Sequence, residues 1–351
     1  MSLKQEAIQL LQQLTACPSF SKEEEKTAAI LADFFQKRGI ATQRKGNNIW
    51  VRNRHWDEQK PAILLNSHHD TVQPVNAWTK NPFETVLENG KLYGLGSNDA
   101  GGALVALIAT FLHFFNEKDL PFNLILAATA EEEISGKNGI ASILESLGEI
   151  AVGIIGEPTQ MRMAVAEKGL MVVDAMAKGV AGHAARDEGV NAIYRALQDI
   201  DWIQNYSFKK KSELLGEVKL TVTQIEAGKQ HNVVPDSCRF VIDVRTNEAY
   251  SNREVFEVLQ QNCESDLKAR SFRLNSSKIE LTHPLVQRGL ALGLDYFGSP
   301  TLSDQALLPF PTLKIGCGKS ARSHTADEFI FLSEIEAGIE IYIKLLKAIQ
   351  M

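Results

Sequence analysis

The sequence predicts an α/β protein: a mixed, mostly parallel sheet sandwiched by helices, with a smaller ferredoxin-like α+β domain inserted into it. Three observations carry this expectation. Short, wholly apolar runs alternate with helix-patterned segments through residues 1–163. From about residue 164 the texture changes to strands that alternate apolar and polar positions. After about residue 280 the helix and strand alternation returns. One domain therefore takes residues 1–163 and 281–351, interrupted by a second over 164–280.

The elements follow in order. SLKQEAIQLLQQLT at 2–15 is an amphipathic helix with Gln and Glu through it, unlike a secretory leader. KEEEKTAAILADFFQKRG at 22–39 is a second helix, which Ser21 can cap and Gly39 can end. PAILLNSHHD, FNLILAATAEEE and AVGIIGEP read as buried strands bounded by turn residues. Between the first two, AGGALVALIATFLHFF is apolar nearly all round, which predicts a buried helix. The insertion reads β-α-β-β-α-β: strands in MAVAEKGLMVVDAMAKG, GEVKLTVTQIEAG and DSCRFVIDVRT flank helices in VNAIYRALQDIDWIQ and SNREVFEVLQQNCESDL. LVQRGLALGLDYF, PTLKIG and a closing helix from Ser333 complete the first domain.

Composition narrows the function. In 351 residues, 37 Lys+Arg stand against 43 Asp+Glu, a net charge of −6 that gives no footing for nucleic acid or a membrane surface. No run approaches the roughly 20 apolar residues of a membrane span. The four cysteines, Cys17, Cys238, Cys263 and Cys317, are scattered, as free thiols of a reducing compartment would be. A cytoplasmic protein acting on a small molecule is expected.

The chemistry collects at strand ends. The first buried strand ends at His68, His69 and Asp70, the second at Glu131, Glu132 and Glu133, the third at Glu157. Ligands of open α/β sheets bind at the carboxyl ends of strands. If these three strands are neighbours, an imidazole and several carboxylates converge there, and a divalent cation relieves their repulsion. His68 and Asp70, two apart on an extended strand, point to the same side, so Asp70 can accept the free ring N–H of a metal-bound His68. Each residue also has a plainer reading. Asp99 can be a helix N-cap, the three glutamates first-turn acids, Glu157 a solvated turn residue, and His55, His113 and His283 structural. GCGKSA at Gly316 lacks the βαβ context of a dinucleotide site, and Leu313 stands where a Walker loop needs its first glycine. No G-x-S-x-G elbow of a serine hydrolase occurs.

Five blocks fall in a telling order: HHDTV at 68–72, GSNDAGG at 96–102, TAEEEISG at 129–136, GEPT at 156–159 and SHTADEF at 323–329. Together they resemble the aminoacylase family of dinuclear zinc hydrolases, which includes acetylornithine deacetylase and succinyl-diaminopimelate desuccinylase. The resemblance covers essentially the whole chain. It implies a zinc-peptidase-like catalytic domain, an inserted dimerisation or lid domain and a homodimer. It further implies two zinc ions per subunit, replaceable by cobalt or manganese, bridged by Asp99. His68 and Glu157 would complete one, Glu133 and His324 the other. Glu132 would be the general base and Asp70 the acid that orients His68. Three consecutive glutamates also allow a register with Glu131 as base; the family pattern, an acid just before the pair, selects Glu132 and Glu133. Ala100 and Gly101 depart from the Met-Lys that many relatives carry after the bridging Asp. In the insertion, His183 stands where relatives supply a histidine from the partner subunit, and Asn232 and Arg245 where they hold the substrate carboxylate. Lys319 and Arg322, just before His324, are candidates for a second carboxylate.

The reaction this implies is hydrolysis of an N2-acyl amino acid, acetylornithine first, in arginine biosynthesis, with an acylcitrulline or succinylated analogue also open. The alternatives are a succinyl-diaminopimelate desuccinylase, an acetyl-lysine deacetylase and a metallo-dipeptidase or aminopeptidase. A scaffold that kept only the fold would have broken ligand positions, and here every one is filled.

Overall fold

The structure, a computed structural model, describes residues 2–186, 188–347 and 349. The chain forms two compact units, one of residues 1–165, 279–297 and 303–351, the other of 166–278 with 298–302.

In the first unit, strands Ala62–His68, Asn123–Thr129 and Val152–Ile155 are buried along their whole length. They are neighbours. Ala62–His68 runs parallel to Asn123–Thr129 on one side and to Val152–Ile155 on the other. Thr312–Lys314 adds a further parallel strand beyond Val152–Ile155, and antiparallel strands Asn48–Arg52 and Met163–Glu167 flank the set. Register does the rest. His68 lies opposite Thr129, and Asn66 opposite Ile155, two residues before His68 and Glu157 respectively. His68, the 130–133 turn and Glu157 therefore leave the sheet at one edge.

Helix Gly102–Phe114 is buried from Gly102 through Phe111, as its unbroken apolar sequence demands, and packs against the sheet and helices Leu3–Thr15 and Leu332–Leu346. Its start is set by close approach. A Cβ on Gly102 would meet Ile330 Cδ1 at 2.3 Å and one on Gly101 would meet Gly96 O at 2.5 Å, so only glycine lets the preceding turn press this close.

The second unit is the β-α-β-β-α-β module. Its antiparallel sheet has the order Lys219–Ala227, Ser237–Arg245, Met171–Lys178, Asp266–Ala269, the ferredoxin-like arrangement. Alternate residues of Met171–Lys178 and Ser237–Arg245 face inward, where Ala192, Ala196 and Ile203 of one helix and Val255, Phe256 and Leu259 of the other cover them. Ser251 caps the second of these helices through a box with Glu254.

One local expectation needs correction. Ser21 caps nothing: helix Glu25–Gln36 begins at Glu24 without a side-chain cap, and the Ser21 hydroxyl goes instead to Asp70 Oδ2 at 2.7 Å. His283 is structural as expected, capping helix Pro284–Ala291 by accepting the Leu285 N–H.

Candidate metal centre

The sheet edge gathers seven of the expected residues. His68 is buried at the end of its strand, and its Nδ1 lies 2.9 Å from the Asp70 carbonyl oxygen and 3.5 Å from Asp70 Oδ1. That fixes the ring and aims Nε2 at Asp99 Oδ1 (3.4 Å), Glu157 Oε1 (3.8 Å) and Glu132 Oε2 (3.9 Å). Nε2 is fully buried and has no hydrogen-bond partner among the described residues. His324, on a loop with φ +59°, reaches the same space: its Nε2 is 3.0 Å from Glu133 Oε2 and 3.6 Å from Asp99 Oδ2. One carboxylate, Asp99, thus faces both imidazoles.

The acidic turn after Asn123–Thr129 is held from beneath. Glu131 adopts φ +56° and spends its carboxylate on the Asn138 N–H and side-chain amide. The N–H groups of Glu132 and Glu133 donate to Asp70 Oδ1 (3.0 Å) and Oδ2 (3.1 Å). Asp70 therefore does more than steady His68; its carboxylate turns the two glutamates into the site. His69, buried on the other face, bonds Thr27 Oγ1 and the Asn47 carbonyl oxygen, and burial depresses its pKa to about 4, a structural role.

The electrostatics describe a place short of positive charge. Burial pushes Glu157 up to about 8 and Glu132 well above the usual carboxylate range, each opposed by His68 and reinforced by neighbouring acids. Burial alone would depress His68, but Glu132, Asp70, Asp99 and Glu157 hold it well above its ordinary value. His324 rises to about 9, chiefly through its bond to Glu133. Donor atoms of His68, Asp99 and Glu133 lie within 4.8 Å of one another, as do those of His68, Glu132 and Glu157. An orphaned imidazole nitrogen facing a ring of partly buried carboxylates is the donor set a divalent cation satisfies, so these residues fit a metal.

Sequence reasoning missed two buried acids. Glu328 accepts the N–H groups of Gly96, Asn98 and Asp99, and burial, then Asp99, pushes its pKa up to about 8. Asp304 takes the Asn66 amide and the Thr129 hydroxyl beneath the strand ends, and burial pushes it to about 6. The signal for Glu328 was its place in SHTADEF; for Asp304 there was none.

The remaining expected residues lie elsewhere or are otherwise engaged. Arg322 forms a two-bonded pair with Glu334 and stacks over Phe329 and Phe331. Its charge is paired with Glu334, which leaves exposed Lys319 as the cation of that loop without a carboxylate partner among the described residues. His183, Asn232 and Arg245 belong to the second unit. His183 and Asn232 share one short ribbon, where the Ala184 N–H donates to the Asn232 carbonyl. Arg245 pairs with Asp243 two residues back on its own strand.

Comparison with known proteins now decides the family. The family model described as Peptidase family M20/M25/M40 matches residues 64–348. The chain belongs to this peptidase family. As an M20 member it is a metal-dependent amidohydrolase. A succinyl-diaminopimelate desuccinylase of Cereibacter sphaeroides is 25% identical, the match covering 97% of this chain and 98% of that protein. One from Rickettsia bellii is 24% identical over 95% and 94%. Among solved structures, aminopeptidase PepT from Bacillus cereus superposes with a TM-score of 0.79 at 17% identity, covering 98% of each chain. The dinuclear metal-binding M20 peptidase YXEP of Bacillus subtilis gives 0.74 at 16%, covering 98% of this chain and 97% of its own. These structures share the M20 fold. Acetylornithine, the first substrate expected from sequence, gains no support from these relatives, whose names match the alternative reading. Among the described residues no helix is long and apolar enough to cross a membrane.

Proposed function

We propose that this protein hydrolyses the amide bond of an N-succinyl amino acid, with water entering and a free amine and succinate leaving. The observation that carries the hydrolytic centre is the orphaned Nε2 of His68 among partly buried carboxylates. The desuccinylase names of the full-length relatives support the acyl group.

In this reading His68 and Glu157 would hold one ion and Glu133 and His324 the other, with Asp99 available to both. Zinc suits the mixed imidazole and carboxylate donors, with cobalt or manganese as substitutes. Paired divalent ions, when bound, polarise an acyl carbonyl and acidify water. Glu132, made more basic than an ordinary carboxylate by burial, accepts the water proton and passes it to the amine nitrogen as the C–N bond breaks. Asp70 keeps Glu132 and Glu133 facing inward. Lys319 receives the succinyl carboxylate, the role that Arg322 cannot fill while bound to Glu334.

The test is a panel of succinyl-diaminopimelate, succinylornithine, succinylcitrulline, acetylornithine, acetylcitrulline, acetyl-lysine and dipeptides, compared by kcat/KM. Succinyl substrates should lead, and a lead for acetylornithine or a dipeptide would reject the acyl assignment. Lys319→Ala should lower kcat/KM for succinyl substrates by about tenfold and for their acetyl counterparts by less than about twofold, the loss of one charge-assisted hydrogen bond. Equal losses on both would remove Lys319 from recognition.

The reading includes a homodimer through the second unit. Strand Lys219–Ala227 is an outer strand, exposed along much of its length, with Ile225 54% exposed. A second copy would cover it, and His183 of the partner subunit would meet the substrate carbonyl, with Asn232 and Arg245 at its carboxylate. Mixing His183→Ala and Glu132→Gln subunits, each nearly inactive alone, should restore about a quarter of wild-type activity in refolded mixtures, because half the symmetric dimers then hold one intact site. No recovery would place His183 in its own subunit's site, and a fully active His183→Ala protein would place it outside the reaction.

A further inference from the structure

The block that delivers His324 carries two acids, Asp327 and Glu328, with different tasks. Asp327 docks the loop outward, accepting from the Thr79 and Lys80 N–H groups at 2.9 and 3.0 Å and from the Thr79 hydroxyl at 2.6 Å. Glu328 turns inward and is 2% exposed. Its Oε1 accepts the N–H groups of Asn98 (2.8 Å) and Asp99 (2.9 Å), and its Oε2 accepts that of Gly96 (3.1 Å). A return tie runs the other way. Asn98 Oδ1 accepts the Lys319 N–H, while its amide donates to the Lys319 carbonyl and to Ser323 Oγ.

Asp99 needs such a hold. Its backbone, at φ −118° and ψ 99°, lies outside helical geometry just before helix Gly102–Phe114, so no helical ladder fixes it. A buried carboxylate that gathers three N–H groups replaces that ladder with charge-assisted bonds. The same carboxylate is four residues from His324. Asp99 and His324, 3.6 Å apart at Oδ2 and Nε2, are thereby set by one side chain.

We propose that Glu328 is a positioning residue that fixes Asp99 relative to His324, and so sets the spacing at which the site takes its second cation. The inference rests on the reading of Asp99 and His324 as ligands. Glu328 touches neither substrate nor ion; it acts through the main chain of 96–99.

The test uses full-length protein stripped with chelator and titrated with Co2+, followed by calorimetry and visible absorption. Wild type should take up two ions. Glu328→Gln, nearly isosteric, should fold and bind the first ion as wild type does. Its second Kd should rise about 10- to 100-fold, as for other residues that orient metal ligands. The cobalt spectrum should change, and kcat should fall with KM held within about twofold. Asp327→Asn, on the same loop, should leave both ion affinities as they are. A folded Glu328→Gln protein with wild-type affinities and spectrum would overturn the proposal. If that variant does not fold, Glu328→Asp decides: a weakened second ion supports positioning, whereas normal binding or failure to fold makes Glu328 a residue of stability alone. Wild type that takes up no cobalt rejects the metal reading itself, and this inference with it.

Discussion

Glu132→Gln is expected to lower kcat by at least about a thousandfold while leaving metal content and melting temperature near wild type. The substitution keeps shape and removes only the capacity to accept a proton. The carboxylate it replaces is suited to that work. Burial, with Glu157, Asp304 and Glu133 close by, raises its pKa well above the ordinary carboxylate range, which makes it a stronger base than a solvated glutamate. Its backbone is pinned by Asp70, so the loss is chemical and not a matter of folding. The two flanking glutamates settle the register. Glu133→Gln should shed an ion, because Glu133 already bonds His324. Glu131→Gln should cost stability and little turnover, because that carboxylate closes its own turn on Asn138. Turnover surviving in the Glu132 variant but lost in the Glu131 variant would move the base by one position.

How far the sequence reaches is clear from these same residues. The three buried strands were legible because continuous apolar runs bounded by turns have few other uses, and the acids at their ends were legible as ligands once the strands were taken as neighbours. Their adjacency was not legible, since strand order is fixed by crossovers that leave no local mark. Asp70 was read only as a partner of His68; its bonds to the N–H groups of Glu132 and Glu133 depend on the left-handed turn at Glu131, which a non-glycine sequence does not announce. Ser21 was read as a cap because a serine before a helix usually is one, and tertiary contact with Asp70 overrode that. Arg322 and Arg245 stand in the sequence as candidates for a substrate carboxylate, and their own partners, Glu334 and Asp243, become neighbours only once a helix or a strand has formed. Glu328, though inside the SHTADEF block, is legible there only as a neighbour of His324: it acts on main-chain N–H groups some 230 residues earlier, a contact the block does not spell out. The glycines of GCGKSA serve packing. A Cβ on Gly316 would sit 2.4 Å from the Glu157 carbonyl oxygen, and Gly318 holds φ +89°.

Removal of metal should make the fold itself sensitive to pH, in a direction the site dictates. Glu157 is displaced from the ordinary 4.5 to about 8, and His324 from 6.5 to about 9. Both displacements mean that the folded chain keeps protons which the unfolded chain has released over that interval. Stability contributed by these protons is complete below the unfolded values and is lost as pH rises through the folded ones. His69, displaced the other way from 6.5 to about 4, opposes this below pH 6.5, so the apoprotein should weaken chiefly between about pH 6.5 and 9. Asp70 and Asp99 are held below their usual range and affect stability only in stronger acid, outside this interval. Bound cations replace those protons, so the loaded protein should lose most of the slope. At a hundredfold excess over Kd each site adds about 2.7 kcal/mol, a rise in Tm of about 4 °C per site for a chain of this size. Calorimetric scans of stripped and zinc-loaded protein at pH 5.5, 7 and 8.5 would measure the gap, which must widen as pH increases. Coincident curves at all three values would mean that these carboxylates and imidazoles hold no ion, and the hydrolytic reading would go with them.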